Sequence, residues 1–271
     1  LILHDAYKLK TYYMALVDEN DRVTFYDGKV KVVDPDGKEY ARFDPSDYDQ
    51  YIGEWVEPWT YIRLNHLRPL GWHGLKDGDG TSLYRVAPLA RLNVADGMQT
   101  PLAQKEAEIM FETLGGKPAH HTLATHWARL ICALQAAEHN VIIANDPRLT
   151  SKDIRNMNLK LKNKGVGCVE APRGTLFHHY ETDDRGVLTK VNLIVATQNN
   201  AAPICLSVKK AAEEFVHGPD VKEGFLNMVE MAFRAYDPCL ACATHSLPGT
   251  MPLAVTIRDH AGRAIREMRR G

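Results

Sequence analysis

Residues 11–43 alternate apolar and polar positions between turn signals. The runs 11–17, 23–26, 29–33 and 39–43 are separated by Asp18-Glu-Asn-Asp21, Asp27-Gly28 and Asp34-Pro-Asp-Gly37. A period of two turns one face of a strand to a core, and Asp-Gly or Pro-Asp-Gly supplies the backbone angles of a tight turn. The pattern predicts a small antiparallel meander. Residues 44–98 hold many Gly, Pro, Trp and Tyr with little periodicity, so they are expected to be irregular and packed by aromatic rings. The period changes at Thr100. Thr100 and Pro101 suit the N-cap and first helical positions, and apolar residues recur through Leu114 until Gly115-Gly116 ends the run. Within 119–137, Leu123, Trp127, Leu130, Ile131 and Leu134 fall at helical spacing. Residues 165–169 and 187–196 predict two neighbouring strands, joined across Asp183-Asp-Arg-Gly186. Residues 207–216 and 224–236 predict helices, and 252–258 alternates like a strand before a basic tail. The expected class is α+β, with a mostly helical core and a small N-terminal antiparallel meander. The expected organisation is a β-rich, irregular, aromatic region over 1–98, a helical core over 99–245 and a C-terminal extension over 246–271.

Composition narrows the function. The 271 residues suffice for one large domain or two small ones. A formal net charge of −1 gives no basic footprint for nucleic acid or an anionic membrane. The longest apolar run, at 191–196, is too short to span a bilayer. Five cysteines, an odd number, argue against a disulfide framework and for a reducing compartment, so a cytoplasmic location is expected. The chain opens on Leu1 inside a patterned segment, which leads us to expect the later part of a longer polypeptide.

Chemistry concentrates in three short strings. The first is Asp237-Pro-Cys239-Leu-Ala-Cys242-Ala-Thr-His245. Pro238 disfavours helical geometry at the residue before it, so the preceding helix is expected to stop near Asp237. A Cys-x-x-Cys turn points both sulfurs to one side, and thiolates suit zinc, copper(I), nickel or iron. His245 joins that side if the chain continues helically. A closed zinc site needs two more ligands, while Cys132, Cys168 and Cys205 are scattered singly. A thioredoxin-like pair would open a helix after a strand, and haem attachment needs histidine directly after the second cysteine. By spacing alone, an incomplete metal site and two inert buried cysteines both stand open. The second string is Glu170-Ala-Pro-Arg-Gly174, where Pro172 and Gly174 flank Arg173 at a strand end; an ordinary surface turn is the plainer reading. The third is Thr197-Gln-Asn-Asn200, whose carboxamides either line a site or cap the helix expected near Ser207.

Taken together, these strings resemble the catalytic large subunit of nickel–iron hydrogenases. Tyr84-Arg-Val-Ala-Pro-Leu-Ala-Arg-Leu-Asn93, with Ala119-His-His-Thr-Leu123 and His126-Trp-Ala-Arg-Leu130, is similar to the cytoplasmic group. That group holds bidirectional NAD(P)-linked enzymes and methyl-viologen-reducing, heterodisulfide-reductase-linked ones. The resemblance implies part of a hydrogenase large-subunit fold and reversible heterolytic cleavage of dihydrogen. It implies a Ni-Fe centre with cyanide and carbon monoxide on the iron, and a structural magnesium (Mg). Iron–sulfur clusters would lie in a partner small subunit, with electron-transfer subunits, a maturation protease and nickel-insertion chaperones as further partners. Residue by residue, Cys239 resembles the terminal nickel thiolate and Cys242 the bridging one. His245, with a backbone carbonyl near Asn199 and Asn200, resembles the magnesium site. Arg173 resembles the arginine above the open metal position, Asp237 the carboxylate that anchors it, and Pro172 a wall of the pocket around the iron ligands. The family's first Cys-x-x-Cys pair is not found here, so the chain holds two of four thiolates and is expected to be inactive alone. The stretch 246–271 resembles the extension that such subunits lose on maturation. Two rival readings are a non-catalytic relative, like the quinone-site subunit of respiratory complex I, and a metal-free precursor or assembly module.

Overall fold

The computed structural model describes residues 1–155, 157–158, 160–218, 223–244 and 253–270. Three of the four runs in 11–43 form strands, β1 (Tyr12–Val17), β2 (Lys29–Val33) and β3 (Glu39–Phe43), with Tyr13 opposite Val33 and Val30 opposite Phe43. The run 23–26 does not become a strand. It makes one bridge, Val23 to Val17, after a tight 18–21 turn in which Asp21 is left-handed. The carbonyl of Phe25 accepts the Glu170 N–H at 2.8 Å, so this run's hydrogen bonding goes to a distant segment rather than a ladder.

Residues 44–98 are more regular than expected. They hold a one-turn helix α1 (Tyr48–Tyr51), a hairpin of β4 (Ile52–Trp55) and β5 (Leu64–Leu67), a short β6 (Tyr84–Arg85) and helix α2 (Pro88–Val94). Every residue of β5 and α2 is buried, so neither shows the one-sided pattern by which sequence reveals an element. The β6 strand runs parallel to β1, giving a four-stranded sheet in the order β3-β2-β1-β6.

Helix α3 (Pro101–Thr113) starts where expected, but Thr100 does not cap it. The Thr100 hydroxyl donates instead to Glu138 at 2.6 Å, and the Glu138 carboxylate takes the Leu102 and Ala103 N–H groups at 3.1 and 3.0 Å. The cap therefore comes from α4 (Thr125–Ala144), which begins after a 3-10 turn over Thr122–Ala124 and runs beyond the expected end. In place of the two expected strands there are three: β7 (Lys164–Ala171), β8 (Gly174–Thr182) and β9 (Leu188–Ile194), antiparallel in that order. The middle strand escapes sequence reading because its hydropathy runs against its burial, with Thr175 and His179 inside and Leu176 half-exposed.

A short α5 (Ala196–Asn199) leads into α6 (Ala201–Phe215), which begins before Ser207 with Pro203 in its first turn. Next come α7 (Glu223–Arg234) and the one-turn α8 (Leu240–Thr244). The basic tail is a strand: β10 (Leu253–Arg258) pairs with β11 (Ala264–Arg270) in a separate hairpin. No helix among the described residues is long and apolar enough to cross a membrane.

Packing joins these pieces around the β1–β2 sheet. Tyr13, Ala15 and Val17 point to one side and meet Leu92, Met110 and Ile131 of α2, α3 and α4. Met14, Leu16 and Val30 point to the other and meet Tyr48, Phe177 and Ile194. Each fully buried large side chain contributes roughly 1.5–3 kcal/mol. This layering presses the start of β8 onto the turn between β6 and α2, where the candidate site begins.

Candidate metal centre

Pairing of β7 with β8 continues to Ala171 opposite Gly174, so Pro172 and Arg173 are the whole hairpin loop. Gly174 has φ +127°, and a Cβ there would lie 2.4 Å from Val86 Cγ2 and 2.6 Å from the Ala87 nitrogen. The hairpin end thus sits directly on backbone. Gly174→Ala is expected to cost about 2 kcal/mol, from left-handed strain and the clash together. A urea unfolding midpoint that does not move would show that β8 has room.

Two asparagines hold this junction. Asn199 accepts from the Tyr84 hydroxyl at 2.5 Å and donates to Thr175 O at 2.8 Å. Asn200 accepts from Val86 N at 2.9 Å and donates to Arg173 O at 3.5 Å, while its own carbonyl accepts from Ile204 N at 2.8 Å. Their side chains position the loop, and neither caps α6. Beneath the loop lies a buried ion pair that sequence reading missed. Arg91 Nε donates to Glu170 Oε2 at 2.6 Å, both side chains nearly inaccessible. Glu170 Oε1 also accepts from Leu16 N at 3.0 Å and from the Thr175 hydroxyl at 2.7 Å, and Arg91 reaches Ala171 O. Burial works against the charge of Arg91, but the Glu170 carboxylate outweighs it and holds the proton more firmly than usual. The two residues are far apart in sequence, so no local signal joins them.

The thiol turn faces this loop. Helix α7 ends at Arg234, earlier than Pro238 suggests, and Asp237 takes a left-handed φ of 52°. Arg173 Nε lies 2.5 Å from the Asp237 carbonyl and 3.2 Å from its Oδ2, with Nη2 3.5 Å from Oδ1. The guanidinium therefore grips Asp237 by main chain and side chain together, not through a symmetric fork. The Cys239 N–H donates to the Thr197 hydroxyl at 3.1 Å, and α8 packs on α5. Across the turn the sulfurs of Cys239 and Cys242 are in contact, with Cα atoms 5.4 Å apart; Cys132, Cys168 and Cys205 stay single. Arg129 of α4 donates to Ala235 O at 2.8 Å, a second cation beside the turn. Behind α8 a polar cleft of about 410 Å³ is lined by Glu54, Arg63, Asn192, Gln198 and Ala243, and Gln198 donates to Glu54 at 2.8 Å. His245 lies outside the described residues, and so do its distance from Asn199 and Asn200 and the stretch 246–252.

The donor set decides what this arrangement can hold. Two sulfurs on one side of a turn, next to a fixed guanidinium, suit a soft, anionic thiolate centre. Among the described residues no group of three His, Cys, Asp or Glu converges.

Comparison with known proteins agrees. The profile of nickel-dependent hydrogenases matches residues 80–245, which include Arg91, Glu170, Arg173 and both cysteines. The iron–sulfur subunit of an F420-non-reducing hydrogenase from Archaeoglobus profundus is 46% identical over 270 residues, 99% of this chain and 55% of its own. The NAD-reducing hydrogenase HoxS subunit beta from Cupriavidus necator is 41% identical over 265 residues, 95% of this chain and 52% of its own. A crystal structure of an NAD+-reducing [NiFe]-hydrogenase in the H2-reduced state superposes with a TM-score of 0.81 at 38% identity, covering 88% of this chain and 51% of that one. The chain thus spans about half the length of the relatives it matches, and its mixed α and β architecture is that of the hydrogenase large subunit. By its profile, its relatives and its fold, the chain belongs to the nickel-dependent hydrogenase family.

Proposed function

We propose that this chain forms part of the catalytic subunit of a nickel–iron hydrogenase, which interconverts dihydrogen with protons and electrons. The observation that carries the reading is the juxtaposition of Cys239 and Cys242, sulfur against sulfur, beside the Arg173–Asp237 contact. Cys239 and Cys242 would supply two of the thiolates that hold a nickel–iron centre, with cyanide and carbon monoxide as the expected ligands on its iron. When bound, that centre supplies the open position at which dihydrogen is split heterolytically.

The chain's own residues do the remaining work. The Cys239 sulfur would serve as a base beside the centre, since a thiolate that binds metal is held deprotonated. Arg173 would bring a permanent positive charge to that anionic site, and its grip on Asp237 fixes the guanidinium. Pro172, exposed in the two-residue loop that carries Arg173, removes backbone freedom there and would wall the pocket around the iron ligands. Magnesium would be held by His245 and a backbone carbonyl near Asn199 and Asn200, whose side chains are already engaged. The partners we propose are an iron–sulfur small subunit, electron-transfer subunits, nickel-insertion chaperones and a protease that removes 246–271; the proposed location is cytoplasmic.

The test is metal analysis and hydrogen-dependent viologen reduction by the enzyme assembled from this chain and the rest of the large subunit. Nickel and iron in roughly equal amounts are expected, with both metals and activity lost in Cys239→Ser and in Cys242→Ser. The chain by itself is expected to reduce no dye with hydrogen, since two thiolates cannot complete a four-thiolate cage. Full activity in either serine variant, or in the chain alone, would falsify the assignment.

A further inference from the structure

Helix α4 is apolar on two opposite faces. On one, Ala128, Ile131 and Cys132 are buried against α2 and α3. On the other, Leu130, Ala133, Ala137, Val141 and Ala144 recur at steps of three and four residues, all exposed. Leu130 is 70% and Val141 64% accessible. A helix at a surface normally turns a polar face to water, whereas one apolar all round is buried. The three-and-four spacing is that of a seam for a second helix, and the alanines allow a close approach.

The size of the relatives says what is available to fill the seam. The superposed hydrogenase chain is matched over 51% of its length, so about half of that large-subunit fold lies outside this chain. Position agrees. Near its start, α4 sends Arg129 to Ala235 O, two residues before Asp237, so the stripe begins beside the thiol turn.

We infer that this face of α4 seats an apolar helix from the part of the large-subunit fold that lies outside this chain. The inference rests on the family reading given above. Docking there covers Leu130 and Val141 and lays the second polypeptide segment along the helix whose Arg129 meets Ala235 O, two residues before Asp237.

The probe is the portion of the Archaeoglobus profundus protein outside its 270 matched residues, co-expressed with this chain. A stable complex is expected, with the amides of 126–144 exchanging roughly tenfold more slowly than in the chain alone. Leu130→Glu combined with Val141→Glu should weaken the complex by about a hundredfold or more, because each buries an unpaired carboxylate. Since both positions are exposed, the chain's own unfolding midpoint should not move. Ile154→Glu, exposed but off the helix, should leave binding unchanged. Binding that ignores the double substitution, no complex at all, or self-association of the chain through this face would overturn the inference. A complex protected on α4 that takes up neither nickel nor iron would keep it and reject the hydrogenase reading. A nickel-loaded, active complex indifferent to the double substitution would do the reverse.

Discussion

Lysine in place of Arg173 is expected to cut turnover of the assembled enzyme about a hundredfold, with nickel and iron retained at the unsubstituted level. The charge is the same in both residues, so geometry must account for the loss. Arg173 reaches the Asp237 carbonyl and carboxylate with Nε and the carboxylate again with Nη2, all in one rigid plane, and its loop is pinned by Asn200 and by Gly174 on Val86 and the Ala87 backbone. Lysine offers one flexible ammonium, which can satisfy Asp237 or the anionic site but cannot be held by both in a fixed orientation. Both side chains are partly exposed, so the Arg173–Asp237 pair adds little to folding and its removal should barely move the melting temperature. Turnover within a few-fold of normal would take Arg173 out of the mechanism. Parallel loss of metal would make it an assembly residue instead.

Glu170→Ala should have the largest effect on stability, about 3–5 kcal/mol. The substitution leaves the Arg91 guanidinium buried without its counter-charge and strips the Leu16 N–H and the Thr175 hydroxyl of their acceptor. That figure is the cost of breaking the pair, not the net worth of having it. Glu170→Gln keeps the shape and one acceptor oxygen, so its loss should be smaller than that of the alanine variant. Urea unfolding measures both variants, and a loss under about 1 kcal/mol for Glu170→Ala would mean that water reaches Arg91. The alanine variant should also lower activity, since Glu170 and Arg91 brace the strand end that carries Arg173.

Among the elements read from the sequence, β3 and α3 keep a wet side and show a period, whereas β1 and β2 are buried on both faces and are marked by the Asp-containing turns that bound them. Burial on all sides removes the period, as it does for α2 and β5, which leave no trace in the pattern. β8 is hidden differently, by polar Thr175 and His179 turned inward, the first to Glu170 on the neighbouring strand and the second to Tyr48 far away in sequence. The candidate site is legible as strings and not as geometry. Nothing in the spacing of Arg173 and Asp237 says that they touch, and only the resemblance sets them side by side. The Arg91–Glu170 brace joins two of the quoted strings, yet neither string reveals the other as its partner. Thr197 stands out only as one of a polar cluster, whereas its role as acceptor for Cys239 N–H depends on how α5 meets α8.

The two-residue loop between β7 and β8 also sets where the chain can tolerate changes in length. Ala171 faces Gly174 with nothing but Pro172 and Arg173 between them, so this hairpin works as a ruler of fixed length. One residue added or deleted in β7 turns every later side chain of that strand to the opposite face, sending Glu170 toward solvent and away from Arg91. The exposed stretch between α4 and β7, which has a single 3-10 turn at Pro147–Thr150 among its described residues and no ladder to keep in register, carries no such constraint. Insertions and deletions among homologous chains are therefore expected to collect between α4 and β7 and to stop short of Glu170.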